Sequence, residues 1–294
     1  MLSNATKNRL DKLFTQYQNI VKNNESALPE IAIAEMPEAV YNSNAIENST
    51  LTLSDTEEII FKNKVIKDHD IREIYEAKNL AAVTKELLKN PEQSLTTGYI
   101  LGLHKMLLTG INNSIAGRFR SGKEWVRIGA HVGASPSFVS GLMSNLVNDY
   151  RSNPNNSYFL DNIAYFHAEF ETIHPFNDGN GRIGRVLINQ QLIKLGYPPI
   201  IIRGKSKHTD YYPLFNQYRK NNKYSGFSEL FALLLLESLH KRIAIITSSN
   251  IIRLSLWAKA NNLSASSVAN KAKRQTIPAF RMQEKWMISD DFKV

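Results

Sequence analysis

The chain has 294 residues, 43% of them hydrophobic, which suffices for one large or two modest domains and excludes global disorder. There is no cysteine, so disulfides, cysteine–zinc sites and thiol nucleophiles are excluded, and a reducing setting fits. The net charge of +9 favours anionic partners, nucleotide or nucleic acid, without choosing between them.

The first residues, Met1 to Leu10, lack an apolar signal region. The most apolar run, Leu230 to Leu236, is ended by Glu237. It falls short of the roughly 20 apolar residues that span a bilayer. A soluble, cytoplasmic protein without membrane contact is expected.

Leu10, Leu13, Phe14, Tyr17 and Val21 recur at helical spacing. A mixed segment after Ala27-Leu28-Pro29-Glu30 leads to Tyr41–Thr50. Ser54 and Glu57 have capping-box spacing, which predicts a helix start there. Asp70–Lys89 reads as an amphipathic helix stopped by Pro91, and Leu95–Leu108 as another. Gly110–Pro136 is non-helical. Within it Glu124-Trp125-Val126-Arg127-Ile128 alternates polar and apolar residues before Gly129 and Gly133, which predicts a short hairpin or flap. Ser137–Tyr150, Asp161–Thr172 and Arg182–Leu195 return to helix, the last ended by Gly196-Tyr197-Pro198-Pro199. Thr209–Arg219 and Ser228–Thr247 are also helical. From about Ser249 the composition changes. Leu254–Ala272 has a helix-turn-helix-like pattern, and Thr276–Arg281 and Lys285–Ile288 read as two short strands.

The segment joining two of these helices carries the chemistry: His174-Pro175-Phe176-Asn177-Asp178-Gly179-Asn180-Gly181-Arg182-Ile183-Gly184-Arg185. Histidine suits general base work near neutral pH. Pro175 forbids continuation of the preceding helix, and Phe176 reads as an anchor to the core. Asp178 is a hard oxygen donor suited to Mg²⁺ on phosphates. Gly179, Asn180 and Gly181 let the backbone turn tightly, and their amides with the helix start form an anion cradle. Arg182 and Arg185 lie three apart, as a pair of forks for a polyphosphate. Each residue alone fits a helix-capping loop with surface arginines. Their conjunction points to a nucleotide site.

This segment resembles the Fic motif, HxFx(D/E)GNGRxxR, and matches it without a gap. The resemblance implies an all-α fold: a Fic helical core with a short β-hairpin flap and N-terminal helices. Separately, Leu254–Ile288 resembles a small winged-helix or excisionase-like module, on Leu263-Ser264-Ala265-Ser266-Ser267-Val268, Ile277-Pro278-Ala279-Phe280-Arg281 and Trp286. Together the two resemblances imply residues 1–93 as the N-terminal region, 94–247 as the catalytic core and 248–294 as the C-terminal module. The Fic resemblance also implies a protein adenylyltransferase that moves AMP from ATP to a hydroxyl side chain of a target protein, or of itself. His174 would deprotonate that hydroxyl, and Asp178 would hold Mg²⁺ or Mn²⁺. Asn180 and the loop amides of Gly179 and Gly181 would bind the α-phosphate, and Arg182 and Arg185 the β- and γ-phosphates. Ser43-Asn44-Ala45-Ile46-Glu47-Asn48 resembles the family's inhibitory motif, (S/T)xxxE(G/N). It implies that Glu47 competes with the γ-phosphate for Arg185.

Gly122–Gly133 stands where similar proteins carry a target-docking flap. Tyr211 and Tyr212 stand where they carry a nucleoside-contacting tyrosine, although a core role is open to either. Three other readings compete. Glu47 could instead orient a water, giving a deAMPylase or a bifunctional enzyme. The basic tail, with Lys271, Lys273, Arg274 and Arg281, admits a nucleotide-sensing DNA-binding regulator, or else a packing domain that does not bind DNA. Gly117-Arg118-Phe119-Arg120-Ser121-Gly122-Lys123-Glu124 nearly spells a P-loop, but Glu124 replaces the Ser or Thr that Mg²⁺ needs and no strand precedes it.

Overall fold

The structure, a computed structural model, describes residues 1–64, 68–129, 131–153 and 155–293. Helix α1 (Asn4–Val21) starts where the Ser3 hydroxyl accepts from the Thr6 amide, and it buries Leu10 and Tyr17. The segment expected to be mixed is instead helix α2 (Ala27–Ile46), which runs through Pro37. Proline removes the bond to the carbonyl of Ile33. Ile33 is exposed, so water can satisfy that carbonyl. Helix α3 (Leu53–Lys62) carries a capping box, but Thr52 and Asp55 make it, not Ser54 and Glu57. Thr52 is the extended residue before the first turn, and its amide donates to the Asp55 carboxylate at 2.9 Å. Helix α4 (Ile71–Lys89) is capped by Asp70.

Helix α5 (Thr97–Leu108) precedes the flap, where β1 (Arg127–Ile128) and β2 (His131–Val132) pair antiparallel. Ala130, within the segment expected as flap, lies outside the described residues. Helices α6 (Val139–Ser152), α7 (Phe159–Ile173) and α8 (Asn180–Lys194) follow. A 3₁₀ turn at Gly204–Ser206 and a π turn at Lys207–Tyr211 lead into α9 (Tyr212–Asn221), then α10 (Ser225–Thr247). The tail holds β3 (Ile251–Arg253), α11 (Leu254–Ala260), α12 (Ala265–Lys273), β4 (Phe280–Met282) and β5 (Lys285–Ser289). Its sheet is antiparallel in the order β3-β5-β4. Strand β3 was not anticipated. The strand expected over Thr276–Arg281 begins only at Phe280, because Pro278 has no N–H for a ladder. The fold is thus mostly helical with two small antiparallel sheets, as expected.

The chain forms two compact units whose boundaries differ from the three-segment division expected from sequence. The first comprises Met1 and residues 35–196 and 201–228. Its core includes Leu80, Leu103, Leu107, Phe166, Phe170, Phe176 and Leu187, from α4, α5, α7, the motif loop and α8. The second comprises residues 2–34, 197–200 and 229–294. In the tail, Leu254, Trp257, Val268, Ile277 and Ile288 form its apolar centre. Among the described residues, no helix is long and apolar enough to cross a membrane.

Candidate active site

The motif lies in the first unit, between α7 and α8. His174 caps α7 in the left-handed region (φ 53°), its amide donating to the Phe170 carbonyl. Pro175 cannot extend the helix. Phe176 is fully buried and stacks on His104, ring centroids 3.7 Å apart. Gly179 sits at φ 81°, where a Cβ would also press to 3.1 Å on Leu107 and Leu108, so the turn requires glycine. Gly179, the residue before α8, has no side chain to cap it, and among the described residues no side chain hydrogen-bonds the first amides of α8, which keep the N–H groups of a helix start. The side chain of Asn180, expected on the α-phosphate, is engaged within the loop. It accepts from the Phe176 amide and donates to the Phe176 carbonyl, both at 2.8 Å. That leaves its backbone amide for an anion.

Every charged group of the motif has a counter-charge. Arg182 is buried between Glu76 of α4 at 2.9 Å and Asp178 at 3.1 Å. Arg72 of α4 contacts both Asp178 and Glu76. Burial raises the Asp178 pKa, but Arg182 and Arg72 outweigh it and hold the carboxyl below its ordinary value. Arg185 donates to the Ser43 hydroxyl at 3.0 Å, to the Ser43 carbonyl at 2.8 Å and to Glu47 at 2.8 Å. A Cβ on Gly181 would lie 2.3 Å from Glu47 Oε1, so the Glu47 carboxylate rests against the start of α8.

The end of α2 that presents Ser43 and Glu47 is itself held. Lys207 donates to the carbonyls of Ala45 and Ile46 at 3.0 Å each and to Asn48 at 2.7 Å. The Tyr212 hydroxyl donates to the Ile46 carbonyl at 2.8 Å. Gly204 donates to Asn42, and Arg203 pairs with Glu38.

Behind the loop, Glu171 Oε2 lies 3.6 Å from His174 Nδ1, within ion-pair range. Burial raises the Glu171 pKa, but His174 and the Arg185 guanidinium help to outweigh it and the carboxyl stays below its ordinary value. His167 Nε2 meets the Tyr211 hydroxyl at 2.8 Å. A Cβ on Gly184 would lie 2.3 Å from Glu171 Oε1, so the second glycine of the α8 turn makes room for that carboxylate.

Tyr211 is 2% exposed in an aromatic cluster with Phe215 and Phe227, so it offers no open face for a nucleoside. Tyr212 is half-buried against α2. The other expected residues, His174, Asp178, Gly179, Gly181, Arg182, Arg185, Ser43 and Glu47, come together around one helix start.

Five contributors were missed in the sequence. Glu171 was an acid on an apolar helix, and His104 a histidine on another. Arg72 and Glu76 were ordinary charges on an amphipathic helix. Arg120 fell within the near P-loop. It is in fact buried, and its guanidinium donates to the carbonyls of Ile173 at 2.9 Å and His174 at 2.7 Å. It also donates to the carbonyl of Ala134 beside the flap. The near P-loop is therefore a strut that ties the flap to the end of α7.

His104 Nδ1 accepts from the Gly117 amide, so Nε2 carries the proton donated to the Asp178 carbonyl. Burial pulls His104 down to about 4, and His167 likewise to about 4. Both are neutral in the fold and bind protons more readily when unfolded, where histidine titrates near 6.5. Their contribution is complete above pH 6.5 and is lost as pH falls toward 4. Each is expected to remove on the order of 2–3 kcal/mol across that window. The urea midpoint should therefore drop steadily from pH 7 to pH 4.5. A flat midpoint would refute it.

Residues 94–192 match the Fic/DOC family. The motif His174–Arg185 lies within the matched stretch. The chain is 35% identical over 183 residues to a protein adenylyltransferase Fic of Nematostella vectensis, covering 60% of this chain and 42% of the relative. It is 32% identical over 178 residues to that of Culex quinquefasciatus, covering 58% and 35%. The chain thus spans less than half the length of these curated relatives. In fold it is similar to a Fic domain containing signaling protein from Bacteroides thetaiotaomicron: TM-score 0.73, 23% identity, covering 81% of this chain and 96% of that one. It is also similar to a Fic family protein from Desulfovibrio desulfuricans: TM-score 0.65, 21% identity, covering 100% and 98%.

Proposed function

We propose that the protein is a protein adenylyltransferase, restrained by Glu47, which transfers AMP from ATP to a hydroxyl side chain. The observation that carries this is the convergence of His174, the open amides of α8 and two arginines on one helix start. The relatives' names support the same activity. In this reading the ATP phosphates lie over the amides of Asn180 and Gly181, with Arg182 and Arg185 on the β- and γ-phosphates. The target hydroxyl oxygen attacks the α-phosphorus, and the bond to the α,β-bridging oxygen breaks. Pyrophosphate leaves, and His174 takes the hydroxyl proton. Glu171, 3.6 Å from Nδ1, would favour the proton on that nitrogen and leave Nε2 to accept the hydroxyl proton. The amides and arginines stabilise the charge that develops on the phosphate oxygens.

The donor set fits Mg²⁺ or Mn²⁺: Asp178 is a partly exposed, ionised carboxylate, with the Glu76 carboxylate sharing its Arg182 partner. Asp178 would hold the ion once Arg72 releases it, and the ion would neutralise phosphate charge there. The flap at Gly122–Gly133, where Trp125 and Val132 are exposed, would align the target segment by strand addition.

The test follows the label. With Mg²⁺ and a lysate or the protein itself as acceptor, ATP labelled at the α-phosphate is expected to mark protein, and ATP labelled at the γ-phosphate is not. Marking from the γ-position alone would make it a phosphotransferase and overturn the reading.

A further inference from the structure

The candidate nucleotide site draws no residue from the tail of the second unit, yet the tail's surface is organised. Helices α11 and α12 are joined through Asn262, which takes the left-handed conformation at φ 54°. The sheet order β3-β5-β4 places a hairpin after the second helix. Its turn, Gln283–Glu284, has φ of 46° and 68°, the doubly positive pair of a tight hairpin turn. Helix, strand, helix, helix and hairpin in this order match the layout of a winged helix-turn-helix, in which α12 takes the place of the second helix of the turn.

The hairpin is fixed from below. Arg281 makes bonds to both oxygens of Glu237 on α10, and its guanidinium lies 4.6 Å from the Trp286 ring. Arg281 is therefore occupied and offers nothing outward. Helix α12 turns Val268 and Ala272 into the core. At 100° per residue the opposite side carries Ser266, Ser267, Asn270, Lys273 and Arg274, all exposed, with exposed Lys271 flanking them. Lys285, exposed, follows the hairpin turn. From Leu254 to Gln283 there is no acidic residue, although the chain as a whole holds 27. A surface that merely needed solubility would mix both signs.

We propose that this module binds duplex DNA, with α12 in the major groove. Lys271, Lys273, Arg274 and Lys285 meet phosphates, and the short side chains of Ser266 and Ser267 let the helix approach the bases. Asn270 faces the base edges, where its amide can pair with adenine.

The test uses the full chain without ATP, so it stands apart from the transferase reading. Binding to a labelled duplex of mixed sequence is followed by fluorescence anisotropy from about 50 to 200 mM salt. Four phosphate contacts predict a log–log slope of about −3 to −4. Lys273→Glu/Arg274→Glu is expected to weaken binding at least tenfold at the lowest salt and flatten the slope. Lys85→Glu/Lys89→Glu on α4, an equal change of net charge, should leave binding within twofold. Trp257 and Trp286 fluorescence checks the fold, and the milder Lys273→Gln/Arg274→Gln replaces any variant that fails it. No binding at the lowest salt would overturn the proposal. So would an equal loss in the α4 variant, which would mean diffuse attraction to a +9 protein.

Discussion

Replacing His174 with alanine is expected to lower AMP transfer by about 10²–10⁴-fold, the range for loss of a general base. The measurement belongs in a Glu47→Gly background, where transfer is unrestrained. Two controls separate chemistry from architecture. His174 has a positive φ of 53°, a conformation that costs most side chains about 1–2 kcal/mol. Asparagine tolerates it, so His174→Asn keeps the turn while removing the base. If the imidazole acts as base, alanine and asparagine lose transfer alike and both still bind ATP, since the phosphates rest on α8 and its arginines. If His174 only shapes the loop, asparagine restores transfer, and the assignment falls.

The legibility of this site in the sequence followed contiguity. Residues 174–185 are adjacent in the chain, so the order of base, carboxylate, glycines and arginines survives as a readable string. Arg72, Glu76, His104, Arg120 and Glu171 act on the same loop from α4, α5, the flap strut and α7. Their sequence neighbours are ordinary helix faces, and nothing local distinguishes Glu76 from any solvated acid. What selects it is the packing of α4 beside α8, which brings it to 2.9 Å from Arg182. Asn180 illustrates the reverse case. Its type and place in the motif suggested a ligand contact, whereas its side chain closes the loop on Phe176. An amide that can both donate and accept satisfies a buried peptide on each side, which an exposed phosphate contact would leave unpaired. Helices were readable where a cap or an apolar stripe marked them. They were not where α2 runs through Pro37, because a breaker in the string says nothing about whether a carbonyl faces water.

Glu47→Gly is expected to raise AMP transfer by roughly ten- to a hundredfold. The argument is spatial before it is energetic. Glu47 Oε1 lies where a Cβ on Gly181 would be only 2.3 Å away, so its carboxylate stands over the amides that would receive phosphate. It also takes the guanidinium of Arg185, which is buried and has its other bonds on Ser43. ATP must displace this carboxylate or bind askew. Exposed ion pairs contribute about 0.2–1 kcal/mol, and breaking buried ones costs about 3–5 kcal/mol. The Arg185 side chain is 8% exposed and that of Glu47 is 38% exposed, so solvent screens the pair in part. An intermediate of about 1–3 kcal/mol corresponds to the stated range. Ser43 remains in the variant, so Arg185 keeps its orientation and the gain reports the carboxylate alone. The same substitution distinguishes the reverse activity. If Glu47 orients a water that removes AMP, the variant loses release of AMP from a modified protein while gaining transfer. If Glu47 only blocks, release is absent in both forms. Unchanged transfer in the variant would mean that Arg185 is not a phosphate ligand, and the restraint would have to be sought instead in the grip of Arg72 and Glu76 on Asp178 and Arg182.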